Sequence, residues 1–268
     1  MDGGTSQGRE GDALMLTVSR SSRWIVTHRS VESGLRLICF PYAGAGASMF
    51  RSWAGSESLP DIEVCAVQLP GREARITESP VGDIRQLVKT LREELEPYLE
   101  RPFAFMGHSI GALVSFELAR ELRRSVGVQP RHLFVSGCPA PHLPGSERIC
   151  DLPDDEFLER LYGFNGTPPE VLNHPELMQL MLPALRADFS LRDRYLYKEE
   201  PPLTCPITAF GGMSDQLVDS LMLRAWRQYT DQRFQLWLFQ GDHFFLRSAQ
   251  ETMLQTLFSE LAVHGSVR

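Results

Sequence analysis

Gly107-His108-Ser109-Ile110-Gly111 reads Gly-x-Ser-x-Gly, the pattern of a nucleophile elbow, a serine carried on a tight strand-to-helix turn. Five residues match by chance, so the flanks decide. Upstream, Phe103-Ala104-Phe105-Met106 is short, apolar and bounded by Pro102, as a buried strand is. Downstream, Ala112-Leu113-Val114-Ser115-Phe116-Glu117-Leu118-Ala119-Arg120 is rich in helix formers. Ser109 is therefore predicted at a strand–turn–helix junction. A turn that tight leaves no room for a Cβ at Gly107 or Gly111. It strains the serine backbone and exposes the hydroxyl. The Ile110 amide, opening the helix, points to where an oxyanion forms.

Working outward, strands and helices alternate. Leu35-Arg36-Leu37-Ile38-Cys39-Phe40 reads as a strand, and 23–26 as an edge strand before it. A glycine-rich loop follows, Pro41-Tyr42-Ala43-Gly44-Ala45-Gly46-Ala47-Ser48. It has neither the Gly-x-Gly-x-x-Gly spacing nor the lysine of a phosphate-binding loop. Beside an elbow it supplies a second oxyanion amide, expected from Ala43 with Tyr42 as the alternative. A helix is expected over 49–58 and a strand over 62–67. The turn Gln68-Leu69-Pro70-Gly71-Arg72-Glu73 reads as a solvated loop or as a rim of the ligand crevice. Ile84, Leu87, Val88, Leu91, Leu95 and Tyr98 recur at helical spacing, a core-facing stripe. A strand over 132–136 follows the elbow helix.

From Pro139 the alternation stops. Helices over 154–162 and 175–191, joined by the hinge-like Asn165-Gly166-Thr167-Pro168-Pro169, predict a helical lid at about 141–202. Regularity resumes with a strand over 207–212, a helix over 221–229, a strand over 234–239 and a last helix ending near Val263. The fold class expected is α/β, an α/β-hydrolase with a mostly parallel sheet and helices on both faces. The 268 residues suit one such domain over 19–268 behind a polar, glycine-rich tail at 1–18 expected to be disordered.

A serine hydroxyl needs a base in reach and a carboxylate to orient that base. In this fold the order along the chain is serine, acid, histidine. Ser109, Asp215 and His243 come in that order, each just past a predicted strand end. Among rival acids, Asp242 adjoins the base, Asp188 belongs to the lid, and Asp219 opens a helix and stands in reserve. His132 begins a strand, His142 and His174 lie in the lid, and the His108 side chain should point away from that of Ser109. No His/Cys/Asp cluster has ligand spacing, so no metal and no cofactor are expected.

Other classes fare worse. Net charge −7 argues against nucleic acid, and no apolar run is long enough to cross a membrane. The five scattered cysteines include no CxxC pair and read as reduced, buried thiols of a cytoplasmic protein.

Several stretches together resemble one family. They are Leu37-Ile38-Cys39-Phe40-Pro41-Tyr42-Ala43-Gly44, Gln68-Leu69-Pro70-Gly71-Arg72-Glu73, Phe103 through Ala112, Gly212-Met213-Ser214-Asp215 and Gly241-Asp242-His243-Phe244-Phe245-Leu246. Between them the chain looks like the type II thioesterases, the stand-alone editing enzymes of polyketide and nonribosomal peptide synthesis. The resemblance implies hydrolysis of acyl groups from the phosphopantetheine of acyl or peptidyl carrier proteins, clearing stalled units during antibiotic biosynthesis. Docking an acidic carrier on an acidic chain needs a local basic patch. Arg72, Arg75, Arg123 and Arg124 are candidates, though each reads first as solvated surface. The chain is expected to act as a monomer. The alternatives are a carboxylesterase or lipase acting on oxygen esters, and a hydrolase-fold protein that binds without catalysis.

Overall fold

The computed structural model describes residues 22–27, 34–143, 148–164 and 174–263. The expected tail at 1–18, the hinge at 165–169 and the Pro144-Gly145 end of the loop opening the lid lie outside the described residues.

Seven strands form one sheet: β1 (Ile25–Thr27), β2 (Leu35–Phe40), β3 (Ile62–Val67), β4 (Phe103–His108), β5 (Leu133–Ser136), β6 (Ile207–Gly212) and β7 (Phe234–Phe239). Their order is β1-β3-β2-β4-β5-β6-β7. β1 pairs antiparallel with β3, and every other pairing is parallel. β3, β4, β5 and β6 are buried at every position, which is why they read as unbroken apolar runs. Glu63 is the one carboxylate among the polar exceptions, which also include His108, Ser136 and Thr208. It is buried, and it accepts from Arg36 Nε at 2.6 Å and Arg101 Nη1 at 3.3 Å.

Alternate residues of the same strands feed two cores. Ile38, Phe40, Phe103 and Phe105 pack under α2 (Ile84–Leu95) and α3 (Ile110–Val126). Leu37, Cys39, Ala104 and Met106 pack on the other face under α1 (Arg51–Ala54) and the C-terminal helix at Gln250–Val263. Asp83 caps α2 by accepting from the Gln86 amide at 2.8 Å. Gly127, at φ 69°, ends α3 in the left-handed conformation.

Between β5 and β6 the described residues form α4 (Asp154–Gly163) and α5 (Pro175–Asp193). Phe157, Leu161, Met178 and Leu185 close a small core of their own there. After β6 come α6 (Ser220–Arg224) and a 3-10 turn over Ala225–Tyr229. After β7 come α7 (Phe245–Ser248) and α8 (Gln250–Val263).

Two expectations need correcting. The helix expected over 49–58 is a 3-10 turn at Ala47–Phe50 followed only by α1. Gly55, Ser56, Ser58 and Pro60 give it little propensity to continue. Arg72 and Arg75, taken as solvated or docking side chains, are buried. Arg72 pairs with Asp188, and Arg75 stacks 4.1 Å from the Trp24 ring while binding Glu78. Arg123 and Arg124 are engaged too, both with Glu200.

Candidate active site

The elbow is built as its glycines require. Ser109 has φ 54° and ψ −122°, and with Glu73 it is one of two non-glycine residues at positive φ among the described residues. Such a backbone costs about 1–3 kcal/mol and persists only where packing enforces it. The packing is visible. A Cβ on Gly107 would lie 2.3 Å from the Gly111 carbonyl oxygen, and one on Gly111 would lie 2.3 Å from the Phe40 oxygen. The Ser109 amide donates to the Ser136 carbonyl at 2.7 Å, which ties the elbow to the end of β5.

The expected acid and base lie after β6 and β7. The loop after β6 carries Asp215, and the loop after β7 carries His243. A Cβ on Gly212 would meet the Asp242 carbonyl oxygen at 2.2 Å, so these loops touch. The Met213 amide donates to Phe239 O at 2.8 Å and that of Ser214 to Gly241 O at 2.9 Å. The result is a 2.8 Å contact between His243 Nδ1 and Asp215 Oδ2. Asp215 Oδ1 accepts from the amides of Leu217 at 2.8 Å and Val218 at 3.1 Å. The Asp215 side chain is fully buried and that of His243 is 9% exposed. A carboxylate so held can fix one tautomer of the imidazole and stabilise its protonated form.

His108 has a place that the sequence did not assign. Its ring lies 5.1 Å from the His243 ring, centroid to centroid, and its Nδ1 meets Ser136 Oγ at 2.8 Å. Burial first, and the neighbouring His243 second, hold its pKa well below the usual imidazole range. It is a neutral wall behind His243. Nothing in its spacing signalled this, because the contact is made across β5.

Of the other candidates, Asp219 caps α6 through the Met222 amide at 2.8 Å. His132 meets Thr208 Oγ1, and His142 meets the Tyr229 hydroxyl. The loop after β2 lies beside the elbow. Tyr42 packs its ring 5.8 Å from that of His108 and 5.1 Å from that of Phe244, and its hydroxyl accepts from Arg247. The Ala45 amide donates to Tyr42 O at 3.0 Å, and the Gly44 amide donates to Asp188 Oδ2 at 2.8 Å. Asp188, set aside by sequence as part of the lid, thus reaches the loop after β2. Among the described residues no group of three His, Cys, Asp or Glu could hold a metal ion. No helix is long and apolar enough to cross a membrane, among those residues.

The thioesterase domain model matches residues 35–261 of this chain. The chain belongs to the thioesterase family. Gramicidin S biosynthesis protein GrsT of Aneurinibacillus migulanus is 46% identical over 251 residues, 92% of this chain and 97% of its own. Linear gramicidin dehydrogenase LgrE of Brevibacillus parabrevis is 48% identical over 246 residues, 90% of this chain and 93% of its own. This thioesterase has no dinucleotide fingerprint in its glycine-rich loop, where Met49 stands at the third glycine position of that spacing. The type II thioesterase BorB from the borrelidin biosynthetic cluster superposes with a TM-score of 0.80 at 36% identity, covering 90% of this chain and 97% of BorB. The chain is a thioester hydrolase of α/β-hydrolase fold.

Proposed function

We propose that this thioesterase is an editing enzyme of polyketide or nonribosomal peptide synthesis. Its substrates are acyl groups carried as thioesters on the phosphopantetheine of acyl or peptidyl carrier proteins. Ser109 is the nucleophile, His243 the base and Asp215 the orienting acid. The observation that carries this is the buried Asp215–His243 pair, its imidazole packed on the residue preceding Ser109. GrsT and BorB, named for gramicidin S and borrelidin biosynthesis, support the pathway class.

His243 takes the hydroxyl proton as Ser109 Oγ attacks the thioester carbonyl. The amides of Ile110 and Ala43 receive the oxyanion; losing one such donor costs roughly 3–4 kcal/mol of barrier. His243 protonates the departing thiolate. Water, giving its proton to the same histidine, then releases the acid from the serine. The neighbouring amides of Gly44 and Ala45 are engaged by Asp188 and Tyr42, which favours Ala43 for this role. The chain works as a single domain whose 141–202 segment is the lid, held together by its own small core around Phe157 and Leu185. Five free, buried thiols suit a reducing cytoplasm.

The test is mass spectrometry of carrier proteins loaded with short, branched and long acyl units, with wild type and Ser109→Ala. Release by wild type alone supports the reading. Faster cleavage of the matching oxygen esters than of the thioesters would instead make the protein an esterase.

A further inference from the structure

We propose that Asp188, working through Arg72, is a positioning pair that sets the oxyanion loop and makes α5 part of the catalytic scaffold. The inference rests on Ala43 being an oxyanion donor, as read above.

Residues 44–48 are gripped from outside at nearly every polar point. The Gly44 amide donates to Asp188 Oδ2 at 2.8 Å. The Ala45 carbonyl accepts from Arg72 Nη1 at 3.3 Å. The Ala47 amide donates to Gln68 Oε1 at 2.9 Å. The Ser48 amide and hydroxyl both donate to the Glu73 carboxylate. Gln68, Arg72 and Glu73 belong to the one turn whose purpose the sequence left open. Gln68 also braces that turn, donating from Nε2 to the Arg72 carbonyl at 3.1 Å.

Asp188 is the outlier in this set, because it comes from α5. Its two oxygens meet Arg72 Nη1 at 2.6 Å and Nη2 at 2.9 Å. Asp188 is 1% exposed and Arg72 5%. A buried ion pair is a poor device for stability, since an apolar pair of similar volume often does as well. What an apolar pair cannot do is hold a backbone N–H in one orientation. Ala43 and Gly44 are the central residues of a turn closed by the Ala45 amide on Tyr42 O, with Gly44 at φ 78°. The carboxylate of Asp188 selects which way the peptide between them faces. With that peptide fixed and the turn closed on Tyr42 O, the loop keeps one conformation, and the adjoining peptide that carries Ala43 N–H is held with it. α5 also presses on the same point: a Cβ on Gly44 would lie 2.6 Å from Leu185 Cδ2.

The test uses an acyl-pantetheine thioester and an alkyl trifluoromethyl ketone, whose adduct with a serine carries an oxyanion. Asp188→Asn and Arg72→Lys are compared with wild type by active-site-titrated kinetics well below their melting temperatures. A displaced donor lowers kcat about 10- to 100-fold, leaves KM nearly unchanged, and weakens the ketone by the same factor as kcat. Arg72→Lys keeps the charge but loses the fork, so it shows the same split if Asp188→Asn does not fold. A kcat and ketone affinity within twofold of wild type in the folded variant, whatever its melting temperature, overturns the proposal. Ser109→Ala is run alongside. If it hydrolyses the thioester like wild type, the hydrolase reading is what fails, an outcome distinct from an active Asp188→Asn beside a dead Ser109→Ala.

Discussion

The imidazoles of His108 and His243 face each other across 5.1 Å, and Gly137 is wedged against both. A Cβ on Gly137 would lie 2.7 Å from His108 Cε1 and 3.2 Å from His243 Cε1. One ring is buried and neutral, and the other is the proposed base. The end of β5, which supplies no reacting group, therefore sets where the base can stand.

Gly137→Ala tests that constraint. Gly137 has φ 55°, so alanine there is strained as well as crowded. Alanine at such a position costs more than about 1 kcal/mol, and the displaced His243 lowers kcat about tenfold or more. Thermal melts and thioester kinetics on the same preparation check both; unchanged kcat with a lowered melt would show that the rings are not held by this glycine.

Asp215→Asn keeps an oxygen for the Leu217 and Val218 amides, so the loop should fold. It loses the charge that orients and stabilises the His243 imidazolium. By analogy with the same change in a serine protease, kcat falls on the order of 10³- to 10⁴-fold. Far-UV circular dichroism should be unaltered. Activity near wild type would remove Asp215 from the mechanism and return Asp219 to consideration.

Burial keeps His108 neutral in the folded protein, its pKa well below the ordinary imidazole value of 6.5. The unfolded chain binds this proton near pH 6.5 and the folded one does not. The stability associated with neutral His108 is thus fully present above pH 6.5 and lost as pH falls from there toward the depressed folded value. The slope is at most about 1.4 kcal/mol per pH unit. Urea titrations at stepped pH values between 7.5 and 5 should show this acid limb in wild type, and His108→Asn should flatten it. An identical limb in the variant would assign the loss to other groups.

Burial pushes the thiols of Cys65, Cys138 and Cys205 up to about 12, and raises that of Cys39 well above its ordinary value. At pH 8 almost none of these is thiolate, the form that reacts. Native protein treated with iodoacetamide should leave all four unmodified and keep its activity, whereas the urea-unfolded chain should take up five labels. Rapid inactivation of native protein by labelling at any of the four would contradict this burial.

Much of the molecule was legible in the linear chain, and the reason is local. The elbow declares itself because Gly107, Ser109 and Gly111 answer a constraint satisfied within one strand–turn–helix. Buried parallel strands must be apolar on both faces, so β2, β3, β4 and β6 appear as mostly apolar runs, broken in β2 and β3 by the paired Arg36 and Glu63. The order Ser109, Asp215, His243 follows from strand ends that share one edge of the sheet.

What sequence left undecided depends on contacts between distant segments. Arg72 reads as a surface charge because nothing near it in the chain reveals the carboxylate that neutralises it, over a hundred residues downstream at Asp188. The contact of His108 with His243 leaves no mark on the chain because the partner arrives from the far side of β5. Short-range pattern chose the elements and the chemistry of the reacting groups. Only the packing of α5 and of the turn after β3 against the loop after β2 decided which buried charges hold that chemistry in place, because a desolvated ion pair leaves no periodic trace in the residues around it.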